Sequence, residues 1–230
     1  MTAATAEPTP APCIAMAEMI SVSAPGIRVL DVPLVSARAP RFSAFGRIVE
    51  DFAAERVIIE TWPARGWRRI EPGTGNQGGV TEGDFVMART GDLMIARNHA
   101  VGGHYVTGWF ADPATATSAG TTPRYDRVFV REANYHPDGG QVFWPRNRTP
   151  FVALLAPPGD DVRPEDFVAF HGDGTFGIQI FPGVWHQPLF PLAAEAVFDD
   201  KQGRVHACVA VDLVAELGCY LSVPLGEPAQ

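Results

Sequence analysis

Cysteine is scarce: Cys13, Cys208 and Cys219 are the three in 230 residues, and no two form a CxxC pair. Their spacing excludes a disulfide framework and a thiolate zinc site, and it predicts a reducing compartment. Charge is also sparse, at 19% of residues, with a net charge of -8 and no cluster of Lys or Arg. A surface without a basic patch cannot neutralise a row of phosphates, so nucleic acid is excluded as a partner. No apolar run approaches the roughly 18 residues that a membrane-spanning helix needs. The first twenty residues, MTAATAEPTPAPCIAMAEMI, hold no Lys or Arg for the basic start of a secretory signal. The expectation is a soluble, cytoplasmic protein with no membrane partner.

What the chain has in quantity is apolar surface and turn formers. Hydrophobic residues make up 46%, with Gly 23 and Pro 21. That suffices for one large core, and Gly and Pro without a period punctuate many short strands. Residues 1–26, rich in Ala, Pro, Thr and Ser, read as a flexible tail, and residues 27–230 as a single domain. The segment FSAFGRIVE predicts a short helix running into a loop, and RVIIETWPA a strand. The Gly-rich stretch Trp67 to Asp92 carries GTGNQGG but no Lys-Ser/Thr after it and no following helix, so it reads as an ordinary loop rather than a phosphate loop. From DLMIARNHAV to RVHACVAVDL, short β-rich runs alternate with turns, and only DDVRPEDFVAF suggests a helical turn, with Pro164 near its start. About ten strands without βαβ alternation predict an all-β sandwich or barrel.

Two segments stand out for pairing a histidine with a tight Pro/Gly turn: NYHPDGGQVFWP from Asn134 and FPGVWHQPLF from Phe181. The second resembles the PGxxH motif of cupins, in which the His is a metal ligand. The first has the spacing of the other cupin motif, HxHxxxxE, with Asn134 at the first His, His136 at the second, and Gln141 at the Glu. Amides carry no charge and are weaker donors than imidazole or carboxylate, so a metal held here would be loosely bound.

Taken together, HPDGGQVFWPRNRTPFVALLAPPGDD, AFHGDGTFGIQIFPGVWHQPLFPL and FDDKQGRVHACVAVDL resemble the ureidoglycolate lyase family. The resemblance spans about Phe42 to Val211 and is strongest from His136 to Leu192. It implies a cupin-like double-stranded β-helix (jelly-roll) barrel. It also implies an enzyme that splits ureidoglycolate into glyoxylate and urea during purine-nitrogen recovery, with nickel or another divalent ion as a helper. His136, Gln141, Trp185 and His186 match the family pattern, as do Arg97 and His99 in ARNHA. One departure is Asn134, where the family places a Glu two residues before the motif His, with Glu132 two positions earlier.

The cleavage needs a base for the hydroxyl proton and an acid for the departing urea nitrogen. His136, His186 and Gln141 are the catalytic candidates. A divalent ion held by His136, His186, Gln141 and Asn134 would chelate the carboxylate and hydroxyl; without one, the two imidazoles would serve as base and acid directly. For the small anionic substrate, Arg97, His99, Trp185, His206 and Lys201 are the binding candidates, Arg97 because it shares a strand face with His99. A related cupin lyase, hydratase or isomerase acting on another small hydroxy or keto acid is the alternative, and a non-catalytic acid-binding cupin a further one. Open strand edges predict a homodimer.

Overall fold

The computed structural model describes residues 27–61, 66–75, 77–113, 122–205 and 207–228. The expected N-terminal tail therefore lies outside the described residues. Among them the chain is all-β, with three short 3-10 turns and one short α-helix, Leu213–Leu217. That helix starts on Asp212, whose side chain accepts from the Val214 and Ala215 amides, and ends on left-handed Gly218.

Two sheets carry the fold. The larger runs in the order Arg28–Asp31, Cys219–Pro224, Arg127–Val130, Gly103–Trp109, Leu93–Asn98, Gln77–Thr90, Glu195–Val205, Gln141–Pro145, Gly177–Ile180, Gly46–Val49. The smaller runs Val209–Asp212, Glu132–Tyr135, Trp185–His186, Phe151–Ala156, Val168–Gly172, Leu34–Ser36. Phe151–Ala156, an unbroken apolar run, is buried along its whole length as a strand covered on both faces must be. The sheets meet through aromatic rings. Phe151 of the smaller sheet lies 6.0 Å from Phe198 of the larger, which in turn lies 6.4 Å from Phe143. These contacts define the inward faces, and the period-two alternation of each strand then assigns every other residue to inside or outside.

Three local expectations are corrected. The Gly-rich loop reading fails over Gln77–Thr90, which is a 14-residue strand. It pairs with Glu195–Val205 from Ala88 to Gln77, and Gly83 fits there because an added Cβ would come within 2.6 Å of the Ala100 amide. Tertiary pairing overrides the weak strand propensity of glycine. RVIIETWPA is no strand; over its described part only Ile59 bridges, to Gly139. FSAFGRIVE holds a 3-10 turn, Pro40–Ala44, and continues as the strand Gly46–Val49 rather than a loop.

Candidate active site

The strand Glu132–Tyr135 pairs with the two-residue strand Trp185–His186, Asn134 lying opposite His186, and His186 lies opposite Leu155 on its other side. Leu155 has the parity of inward-facing Phe151. His186, Asn134 and, two residues on, His136 therefore share the inward face of the smaller sheet. The turn at Pro182-Gly183 ties the two histidine segments, since the Gly183 amide donates to the His136 carbonyl at 2.9 Å. Gly183 sits at φ 77°, where a side chain would be strained.

The two imidazoles meet. Their ring centroids are 5.1 Å apart at an interplanar angle of 64°. Each is oriented by a backbone carbonyl: His136 Nδ1 lies 3.0 Å from the Ala207 oxygen, and His186 Nδ1 lies 2.8 Å from the Val184 oxygen. A carbonyl only accepts, so Nδ1 carries the proton in both neutral rings and Nε2 carries the lone pair. Asp138 steadies the arrangement by accepting from the Ala207 amide at 2.8 Å. Burial pushes the His186 pKa down to about 3, and the charge on His136 pushes the same way, against a smaller upward pull from the Val184 carbonyl. His186 is therefore a neutral base at physiological pH.

The larger sheet contributes a buried polar cluster to the same interior. Phe198, Asp200 and Gln202 alternate inward, with Gln202 opposite Gln141. Gln141 Nε2 donates to Asp200 Oδ1 and to Gln202 Oε1, each at 2.8 Å, and Asn98 Nδ2 reaches the same Gln202 oxygen at 3.3 Å. Asp200 is fully buried. Burial raises its pKa to about 7, against the opposing pull of the Gln141 hydrogen bond.

Several expected binding residues lie elsewhere. Arg97 and His99 are exposed, because buried Asn98 and Ala96 take the inward parity of that strand. Lys201 is buried but points outward, donating to the Phe52 and Glu55 carbonyls at 3.0 and 3.1 Å and pairing with Glu82 at 3.1 Å. It fastens the segment around residues 52–55 to the sheet. Trp185 is fully buried on the opposite face from His186, its Nε1 donating to the Gly159 carbonyl at 2.7 Å. Beside it Tyr135 donates to Asp160 Oδ1 at 2.6 Å. A cleft of about 400 Å³ is lined by Trp67, Tyr135, Pro137, Asp160 and the Pro182-Gly183 turn among others. His206 lies outside the described residues.

A divalent ion does not fit the residues present. Among the described residues no three His, Cys, Asp or Glu side chains converge as metal ligands. Asn134 and Gln141 add only neutral amide oxygens, which are weaker donors than a carboxylate or an imidazole.

With this geometry in view, similarity to known proteins becomes decisive. The model of the ureidoglycolate lyase family matches residues 31–211. The chain belongs to the ureidoglycolate lyase family. Among individual relatives, the ureidoglycolate lyase of Azotobacter vinelandii is 41% identical over 81 residues, 34% of this chain and 49% of its own length. That of Burkholderia cepacia is 36% identical over 95 residues, 40% of this chain and 52% of its own. The chain spans about half the length of the curated relatives it matches.

Asp200 and Gln202 escaped sequence reasoning because DDKQGR reads as a polar turn, and Asn98 because it lies between Arg97 and His99, on the opposite face of their segment. The signal was present: Asp200 and Gln202 continue the period-two series from Phe198, so a strand through this segment turns both inward.

Proposed function

We propose that this ureidoglycolate lyase family member is itself a carbon–nitrogen lyase, splitting ureidoglycolate into glyoxylate and urea inside a cupin-like double-stranded β-helix formed as one domain by residues 27–230. The observation that carries the reading is the meeting of His136 and His186 on inward faces, each with Nδ1 turned to a backbone carbonyl.

The reaction moves one proton and one electron pair. The hydroxyl loses its proton as the carbon–oxygen double bond forms, the carbon–nitrogen bond breaks, and the departing nitrogen gains a proton to become urea. Neutral His186 supplies the base through Nε2. An anionic substrate beside the pair favours a proton on one ring, so His136, the more accessible of the two, serves as the acid toward the nitrogen. The pair ends the cycle with the protons it began with, and no step passes through a metal.

Among the described residues, the two ends of the larger sheet, Arg28–Asp31 and Gly46–Val49, leave backbone open to pairing, which supports a homodimer as part of this reading. No helix among the described residues is long and apolar enough to cross a membrane. A cytoplasmic location belongs to the same proposal.

The test is glyoxylate release from ureidoglycolate by the purified chain. His136→Gln and His186→Gln should each lower kcat by about 10²- to 10⁴-fold, the usual contribution of acid–base catalysis, with the fold intact by circular dichroism. Full activity in both variants would sink the reading.

A further inference from the structure

Among the described residues, two buried oxygens on the inward faces have no hydrogen-bond donor: Asp200 Oδ2 and Asn134 Oδ1. The Asp200 case is the stronger, because the amide nearest to it, Gln141, bonds its other oxygen. Gln141 spends both Nε2 hydrogens on Asp200 Oδ1 and Gln202 Oε1, and Asn98 Nδ2 is directed at Gln202 as well. An acceptor left bare in a fully buried carboxyl is costly, by an amount comparable with a whole hydrogen bond.

Among the parts of the proposed substrate, the carboxylate offers only acceptors, whereas the ureido group is rich in N–H donors. We propose that Asp200 recognises the ureido end of the substrate, Oδ2 accepting an N–H, with Asn134 Oδ1 on the facing sheet as a second acceptor. The inference rests on the lyase reading above and makes Asp200 the residue that separates ureido acids from other small hydroxy acids. A site built to bond a donor rejects the analogue that lacks it, because the buried acceptor then stays unpaired.

The experiment is calorimetric binding at about pH 8, where the Asp200 carboxyl has lost the proton it holds below about 7, to the full chain and to its Asp200→Asn variant, in which an N–H replaces the bare oxygen. The probes are ureidoacetate, which lacks the hydroxyl and cannot be cleaved, and glycolate, which lacks the ureido group. Ureidoacetate should bind the variant about 10- to 100-fold more weakly, while glycolate shifts by less than about twofold. No weakening for ureidoacetate, an equal loss for both probes, or no binding of ureidoacetate to the unaltered chain overturns the assignment. If Asp200→Asn fails to fold, a crystal structure of the unaltered chain with ureidoacetate decides: a ureido nitrogen within about 3.2 Å of Asp200 Oδ2 supports the assignment, and a ureido group turned elsewhere overturns it. Asp200-dependent binding without glyoxylate release removes the lyase reading and leaves this one standing. Cleavage unaffected by Asp200→Asn does the reverse.

Discussion

Asp200→Asn is expected to make the folded chain more stable at neutral pH, even as it weakens ligand binding. Burial lifts the Asp200 carboxyl from 3.8 to about 7. Between these values the unfolded chain has released a proton that the folded chain still holds. The folded state binds more protons, so stability falls as pH rises through that window and levels off above it. At 1.36 kcal/mol per pH unit, the interval from 3.8 to about 7 amounts to about 4 kcal/mol. Asparagine has the shape of neutral aspartic acid, keeps an oxygen for Gln141 Nε2 and cannot ionise. Near pH 4 the two proteins should differ by no more than about 1 kcal/mol, and by about pH 8 the variant should lead by up to about 4 kcal/mol. Urea denaturation of both proteins across that range gives the difference directly, and titrations common to both cancel. A difference that is flat with pH, or that grows toward acid, would refute the reasoning, since it would mean that Asp200 is not held in a dry interior.

Further outcomes follow from the same geometry. His186 folds neutral with its pKa near 3, below the 6.5 of an exposed imidazole, so it costs stability as pH falls below about 6.5; His186→Gln should move the acid-denaturation midpoint to lower pH. Lys201→Met removes the two hydrogen bonds to the Phe52 and Glu55 carbonyls. It should cost about 1–3 kcal/mol and speed proteolysis around residues 52–55, with kcat per folded molecule retained. Arg97→Ala and His99→Ala, both at exposed outward positions, should leave KM within about twofold in the glyoxylate assay. Gly172→Ala places a methyl against the ring of fully buried Phe151 and should lower the melting temperature by about 3–10 °C.

The histidine pair was legible because its two signals are local: Pro/Gly turns fix where a strand begins, and a short period-two count fixes which side chains share its face. The all-β class was legible from the same punctuation. Arg97 and Lys201 show where such reasoning stops. Both are cations near the motifs, Arg97 on a β-rich segment and Lys201 in one that reads as a polar turn, and spacing relative to a neighbour says which residues share a face but not which face is inside. That depends on pairing partners far along the chain, such as Phe198 against Phe151. The glycines of Gln77–Thr90 make the complementary case, since they looked like loop until ten residues of Glu195–Val205 supplied the partner strand.

The strand Cys219–Pro224 lies between Arg28–Asp31, which it pairs in parallel, and Arg127–Val130. It begins eight residues after the family match ends at 211. A version trimmed to the matched span would lose residues 28–30 as well, vacate the places of Leu221 and Val223, both fully buried, and strip Arg127–Val130 of this backbone partner. The stretch of shared ancestry is thus shorter than the stretch that must be expressed to obtain a folded molecule. Because the pair is parallel, with Arg28 opposite Cys219, tags fused before Arg28 and after Pro224 would leave from opposite ends of it.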